Sequence, residues 1–169
     1  AFDNSESLHS VTLSSSLQSV SSNMFSGCKA LLSISIPDSV TEIGEYAFND
    51  CSSLESVCVG NGITMVGQAA FNQCPLLTRL DITSLEVWCS IDFATASASP
   101  LYSAHGDIYL NGALLTDVAI PDSLSEIKNY TFYGAQSINS LNIHDGVTTI
   151  GNSSIRYCTN LAEVTVGEG

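Results

Sequence analysis

The chain has 169 residues, 17 acidic and 4 basic, and so carries a formal net charge of −13 although 44% of it is hydrophobic. So few basic residues exclude a nucleic-acid backbone as a partner and disfavour anionic membrane surfaces. The hydrophobic content excludes a disordered acidic tail, and no apolar run approaches the ~18–20 residues that a membrane span needs. We therefore expect a folded chain with no direct membrane insertion.

Residues 1–82 are built from a repeat whose period is the step from Phe2 to Phe25. Equivalent apolar residues recur at this step in several series that share one phase, among them Phe2, Phe25, Phe48 and Phe71; Leu8, Leu31, Leu54 and Leu77; and Leu13, Ile36, Val59 and Ile82. One such unit cannot bury its own apolar face, whereas stacked units form a continuous core. The period therefore predicts a solenoid.

A single unit, residues 31–54, shows what each part of the repeat does. The pattern L-x-x-I-x-I alternates apolar and polar residues, which predicts a short strand with one buried face. Pro37-Asp38-Ser39 is typical of a turn, and Val40 and Ile43 form a second short apolar segment. The spacing from Tyr46 to Leu54 indicates a helical turn. Stacking of such units predicts a parallel sheet along one side.

An insertion of about residues 83–114 interrupts the repeat, because the equivalent residues Ile82 and Ile120 lie more than one and a half periods apart. The Asn111-Gly112 pair between apolar stretches predicts a β-hairpin projecting from the solenoid. The aromatic residues and the histidine of this segment are Trp88, Phe93, Tyr102, His105 and Tyr109. They either pack the hairpin onto the repeats or form a recognition patch on it.

The repeat resumes over residues 115–169, so we expect one solenoid made of repeats 1–82 and 115–169. Residues 1–8 are in phase with residues 47–54, and the last residues directly follow a strand pattern. Solenoids need polar caps at both ends. We therefore expect a portion of a longer repeat array; the alternative is that copies of the chain cover the ends, as in a filament.

The unit L-x-x-I-x-I-P-D-S-V-T-x-I-G-x-x-A-F-x-x-C-x-x-L closely resembles the BspA-like (Treponema pallidum type) leucine-rich repeats. Residues 86–124 resemble a Trp-Cys and P-L-Y-x-A-H…L-Y-L-N-G segment that such proteins often carry. The resemblance implies a right-handed, β-rich α/β solenoid with its parallel sheet on the concave side. It also implies a secreted or cell-surface protein, and a context of adhesion and host contact.

No residues of the chain indicate catalysis, a metal or a cofactor. The periodic cysteines Cys28, Cys51, Cys74 and Cys158 point in parallel, which suits inert core thiols better than zinc or disulfides. Cys58 lies on the outward face of its strand and is the one thiol that we expect to react. Acidic residues are scattered singly through turns, and nothing identifies a nucleophile with its base. We therefore expect a non-enzymatic protein.

The strand alternation predicts which side chains face outward on the concave sheet, where solenoids usually bind. That face is small and polar, and Arg79 is its one obvious anchor because hot spots favour Trp, Tyr and Arg. The partner-binding candidates are Ser33, Ser35, Ser56, Arg79, Asp81, Asp117 and Asn142 on the strands, and Trp88, Tyr102, His105 and Tyr109 in the insertion. The alternative is that this sheet face is only exposed to solvent and binds no partner.

Two N-glycosylation sequons begin at Asn129 and Asn152, one period apart, and could carry glycans if the source has a eukaryotic secretory pathway. We predict a non-enzymatic extracellular or cell-surface recognition and adhesion module for a protein or glycan partner, one that the host could supply. The alternatives are a self-associating or filament-forming structural protein and a scaffold attached to an enzyme in a longer polypeptide.

Overall fold

The alternation of apolar and polar residues produces a strand of three or four residues in each repeat from residue 33 onward, and a two-residue strand follows the turn. The alternating residues 10–13 of the first repeat form no strand. The computed structural model describes residues 1–167. The strands of the first repeats are β1 (Ser19–Val20), β2 (Ser33–Ile36), β3 (Glu42–Ile43), β4 (Ser56–Val59), β5 (Met65–Val66) and β6 (Arg79–Ile82). Burial alternates along the four-residue strands, so their outward and inward positions are those predicted.

Equivalent strands of successive coils pair in parallel. Ile34 in β2 aligns with Val57 in β4, and Val57 aligns with Leu80 in β6, so each pairing joins residues one period apart. The two-residue strands β1, β3 and β5 form a second parallel ladder of their own. The predicted parallel sheet is therefore confirmed, and the short apolar segment after each turn adds a second one.

The core is a set of stacked side chains, one layer per coil. The rings of Phe2, Phe25, Phe48 and Phe71 lie 5.4, 5.3 and 5.1 Å apart and nearly parallel. Full burial of such a side chain contributes roughly 1.5–3 kcal/mol relative to its exposure. Each added coil therefore contributes a buried ring of this kind to the core and the stabilisation that comes with it.

The segment from Tyr46 to Leu54, expected to form a helical turn, consists of hydrogen-bonded turns instead. Tyr46 and Asp50 have positive φ values of 57° each, in the left-handed region. A right-handed helix cannot pass through such residues. Asn49 N–H still bonds to the Tyr46 carbonyl and Leu54 N–H to the Cys51 carbonyl, so single turns survive where a helix does not.

The insertion contributes one short helix and part of both ladders. Its elements are α1 (Leu85–Ser90), β7 (Asp92–Phe93), a 3₁₀ turn (Ala96–Ala98), β8 (Asp107–Leu110) and β9 (Ala113–Leu114). Among residues 1–167, α1 is the only α-helix, and the Ser84 side chain caps it by accepting from Val87 N–H. The fold is therefore strongly β-rich.

The expected hairpin is present, with Asn111 and Gly112 both at positive φ (52° and 80°) between antiparallel β8 and β9. The prediction that it projects from the solenoid is wrong, because β8 pairs in parallel with β6. Asp107 aligns with Arg79, a little more than one period earlier, so residues 83–110 close a slightly longer coil. The alternation of Ile108 and Leu110 is what fits β8 into the sheet.

The remaining repeats form separate ladders beyond the insertion. Their strands are β10 (Asp117–Ala119), β11 (Glu126–Ile127), β12 (Ser140–Ile143), β13 (Thr149–Ile150) and β14 (Glu163–Val166). The four-residue ladder ends at β9 and a new one runs from β10 through β12 to β14, while β7 and β11 do not pair. The two parts are joined instead by an isolated backbone bridge between Gly106 and Ala135 and by side chains of the insertion.

Candidate functional site: the outward strand face and the aromatic insertion

The predicted outward residues lie on the exposed faces of two sheets. On adjacent strands, Ser33 aligns with Ser56, and Ser56 aligns with Arg79. Likewise Ser35 aligns with Cys58, and Cys58 aligns with Asp81. These side chains are exposed or half-buried. Most are short, so the backbone of this face is accessible over several coils.

Arg79 lies at the centre of a compact cluster on this face. Its Nε and Nη2 atoms donate to the two carboxylate oxygens of Asp81, each at 2.7 Å. Its guanidinium carbon lies 3.9 Å above the ring of Tyr109, which belongs to the neighbouring strand β8. The Arg79 side chain is therefore fixed in one orientation while its tip stays accessible.

Asp117 and Asn142 lie on the second sheet, on the far side of the ladder break. Hydrogen bonds from the hydroxyls of Ser140 (2.6 Å) and Thr116 (2.7 Å) hold the pKa of Asp117 below its usual range. This carboxylate therefore stays ionised and oriented. Asn142 is exposed on the same face. A partner that spans both sheets therefore meets the Arg79–Asp81 ion pair and then the Asp117 carboxylate.

Trp88 does not belong to any surface patch, which corrects its prediction as a partner-binding residue. It is 2% exposed and packs edge-on against Phe93 with ring centroids 5.3 Å apart. Its indole N–H donates to the Thr131 carbonyl at 2.9 Å. Trp88 therefore joins the insertion to the repeats that follow. Of the two alternatives for this residue, packing and recognition, the structure shows packing.

Tyr102 and His105 lie apart from Tyr109, in an aromatic cluster with residues that the sequence analysis missed. Tyr102 lies 5.6 Å from the ring of Tyr133, and His105 stacks on Tyr157 at 5.0 Å. Positions equivalent to Tyr133 in earlier coils carry Ser26, Asn49 and Asn72. The replacement of small polar residues by tyrosine at an accessible repeat position is the pattern that could have revealed this cluster.

The periodic cysteines are buried or half-buried free thiols, as predicted. Burial raises the pKa of Cys74 to about 12 and that of Cys158 to about 11. Cys58, half-buried on the strand face, is the thiol that faces outward. Within residues 1–167, no three His, Cys, Asp or Glu side chains converge to hold a metal ion.

Both predicted sequon asparagines are exposed, on the turns that follow β11 and β13. The backbone N–H of Asn152 donates to the side-chain oxygen of Asn129 at 2.7 Å, so the two residues stack from one coil to the next. Their use as glycosylation sites stays a prediction.

The sequence profile described as "BspA type Leucine rich repeat region" matches residues 1–97 and 105–169 in six copies. The chain belongs to the BspA-type leucine-rich repeat family. The matched ranges include the periodic phenylalanines and cysteines, which are the side chains that stack from coil to coil. The match also includes most of the insertion.

Solved structures of leucine-rich repeat proteins resemble this BspA-type chain. A leucine-rich cell surface protein from Faecalibacterium prausnitzii is 26% identical, with a TM-score of 0.55 over 98% of this chain and 43% of that one. A leucine-rich repeat protein from Bacteroides ovatus (24%, TM-score 0.48, 99% and 51%) and one from T. pallidum (18%, 0.48, 86% and 72%) are also similar. The chain thus spans about half or less of the first two relatives. None of the curated proteins is significantly similar in sequence.

Leucine-rich repeat solenoids are generally non-enzymatic scaffolds for protein interaction, and the BspA-type chain has that fold. Helix α1, with six residues, is too short to cross a bilayer, and no other part of residues 1–167 offers a long apolar helix. The features left for recognition are therefore the strand face around Arg79 and the aromatic cluster around Tyr133.

Proposed function

We propose that this chain is a non-enzymatic recognition module of an extracellular or cell-surface protein, and that it mediates adhesion to a protein or glycan. Membership of the BspA-type family and the likeness to a leucine-rich cell surface protein support this proposal. The described residues add an open, polar sheet face. Such a face binds by shape complementarity along the stacked coils.

The observation that carries the proposal is the arrangement of Arg79 on Tyr109. On a face of serines, this pair is the one place where a guanidinium and an aromatic ring stand together, 3.9 Å apart. Tyr and Arg are the residue types that supply most binding energy at protein interfaces. Because Asp81 already holds Arg79 in place, little side-chain entropy remains to be lost on binding.

The neighbouring serines complement this anchor. Ser33, Ser35 and Ser56 leave room for a partner to approach the strands closely, and their hydroxyls can donate or accept hydrogen bonds. The partner therefore lies along β2, β4, β6 and β8, with its main contact at the Arg79–Tyr109 pair.

The proposal is tested by binding to panels of host extracellular-matrix proteins and glycans. Arg79→Ala and Tyr109→Ala should each weaken binding tenfold or more, because truncation of a hot-spot residue costs about 2 kcal/mol or more. Lys29→Ala is the matched control, since Lys29 is similarly exposed (47% against 45%) and also makes a 2.7 Å ion pair, with Glu6. Its affinity should equal that of the unchanged chain.

Equal binding by all of these variants would contradict the strand-face contact. Sedimentation of the same samples separates the alternative role, because a self-associating protein gains mass with concentration and a recognition module stays monomeric. Binding that appears only in the associated state would favour the structural role.

A further inference from the structure

A second surface brings aromatic residues from three successive coils together with an arginine. The tyrosine patch consists of Tyr102, His105, Tyr130, Tyr133, Arg156 and Tyr157. Its ring centroids lie 5.0 to 6.3 Å apart, in stacked, tilted and edge-to-face contacts. The Arg156 guanidinium carbon lies 4.7 Å above the ring of Tyr157. This surface is distinct from the strand face around Arg79, and none of its residues belongs to a strand.

Three of these residues have left-handed backbone conformations: Tyr157, His105 and Tyr130, whose φ is 63°. Tyr157 has a φ of 62°. The equivalent residues of other coils also have positive φ, so the left-handed conformation belongs to the repeat and only the large ring is particular to this coil; they are Asn4, Gly27, Asp50, Gln73 and Gly134. His105 has a φ of 54°, and the Gly106–Ala135 pairing aligns it with the same position. The other coils pack without a large ring here, so packing does not require one.

The patch also differs in charge from the rest of this acidic chain. Lys29, Arg79 and Lys128 each pair with a carboxylate, whereas Arg156 has no such partner among residues 1–167. Burial and the neighbouring tyrosines raise the pKa of Tyr133 while Arg156 lowers it, and no described carboxylate contributes. The patch is therefore a cationic site on a chain with a net charge of −13.

The groups left for a ligand are phenol hydroxyls and guanidinium N–H donors. The hydroxyls of Tyr102, Tyr130 and Tyr133 make no hydrogen bond within the described residues, and solvent reaches that of Tyr133 although its ring is buried. His105 and Arg156 both lie against the ring plane of Tyr157, which is 43% exposed. A sugar ring would have to displace one of them before it could stack there. Exposed ring edges, phenol hydroxyls and a guanidinium are typical of sites that bind proteins, so they suit a protein partner better than a sugar.

We propose that the tyrosine patch binds a protein partner through an exposed carboxylate, which Arg156 receives while the tyrosines contact the apolar residues around it. Arg156 donates to the Tyr157 hydroxyl at 3.0 Å, which leaves further N–H groups to bind a carboxylate in bidentate geometry. The inference extends the proposed recognition function to a separate surface.

The first test uses a displayed library of random dodecapeptides, selected against the full chain. Enriched peptides should contain Asp or Glu beside apolar residues, and Arg156→Ala should weaken their binding at least tenfold. Replacing the peptide's acidic residue by its amide should weaken binding by a similar factor. Because the two groups interact, Arg156→Ala and the amide together should weaken binding by less than the product of the two separate factors. Arg79→Ala and Lys29→Ala serve as controls and should bind normally.

A second variant separates binding from packing. Tyr157→Asn places at this position the residue that Asn4 supplies in the first repeat, and so relieves the strained backbone. We expect an unchanged or higher Tm together with at least tenfold weaker peptide binding, as in sites that exchange stability for function. A Tm lower by more than a few degrees would show that the ring serves packing and would overturn the proposal.

The outcomes distinguish this inference from the proposed function. Failure to enrich any peptide, enriched peptides that ignore Arg156→Ala, or Arg156-dependent binding on a glycan array would overturn the inference. Binders that depend on Arg79 alone would leave the strand-face proposal standing and the inference refuted. Binders that depend on Arg156 alone would support the inference, and the strand-face contact would then be judged by the matrix and glycan panels.

Discussion

The periodic cysteines are hydrogen-bond donors as well as apolar side chains. The Cys51 thiol donates to the carbonyl of Phe25 at 3.2 Å, and Cys74 repeats the contact with Phe48 at the same distance. The separation along the chain is 26 residues, so each bond joins neighbouring coils. A thiol is a weak donor, but small enough to fill the space between stacked turns.

Cys58 should therefore react much faster than the buried cysteines. At about pH 8, a thiol-specific reagent should modify Cys58 rapidly in the folded chain and the buried thiols only on unfolding. The reason is that burial raises the pKa of Cys74 and of Cys89 to about 12, which leaves almost no thiolate. Cys58→Ser should abolish the fast phase, and rapid modification in that variant would contradict the buried ladder.

At the scale of one element, the turns set how closely coils can stack. A Cβ on Gly60 would lie 2.6 Å from the Pro37 carbonyl carbon of the preceding coil, whereas one on Gly112 would meet nothing within 4 Å. The two glycines thus serve different purposes. Gly60 permits backbone contact, and Gly112 supplies the left-handed conformation (φ 80°) of the hairpin turn.

Substitution of these glycines by alanine should separate the two effects in urea unfolding. Gly112→Ala should lower the free energy of unfolding by about 1–2 kcal/mol, because only the backbone conformation is strained. Gly60→Ala should cost more, since atoms of two backbones must move apart. Equal losses would show that the coils can shift to accept a side chain.

The strands could be predicted from the sequence because their burial depends on periodicity alone. Ile34 and Ile36 alternate with serines, and the structure places them as the pattern predicts. The absence of a helix at Tyr46 could not be predicted, because left-handed residues there are stabilised by contacts with the next coil. The pairing of β8 with β6 could not be predicted, because an Asn-Gly turn indicates only the antiparallel partner and the coil between β6 and β8 is longer than one period.

The candidate sites were less predictable, since they depend on how the insertion packs. Periodicity placed Arg79 on the outward face, but its contact with Tyr109 depends on a coil of irregular length. The same irregularity buries Trp88 and brings Tyr102 beside Tyr133. Contacts between side chains more than one period apart leave no pattern in a single sequence.

For the whole molecule, repulsion from the net charge affects stability more than the individual ion pairs do. The three cationic side chains that pair with carboxylates are 29–47% exposed, and such pairs contribute only about 0–1 kcal/mol. Against them stands the self-repulsion of a net charge of −13. The repulsion acts over the whole solenoid and is screened by salt.

Added salt should therefore stabilise the chain. Between about 0.02 M and about 0.5 M NaCl, the free energy of unfolding should rise, because the Debye length falls below the spacing between most surface charges. Equilibrium unfolding in urea at each salt concentration measures the effect, since urea adds no charge. A fall in stability with salt would mean that ion pairs such as Lys128 with Asp92 and Glu126 dominate.

The contacts between coils join residues at nearly constant separations, one period for aligned strands and slightly more for the thiols. Tandem duplication of one unit in the gene therefore yields a coil whose Phe, Cys and strand residues all find partners of the right type. The length of the array can thus change in evolution by whole coils without new compensating mutations. A segment of any other length, such as the insertion here, needs contacts of its own, and the bond from Trp88 to Thr131 is one of them.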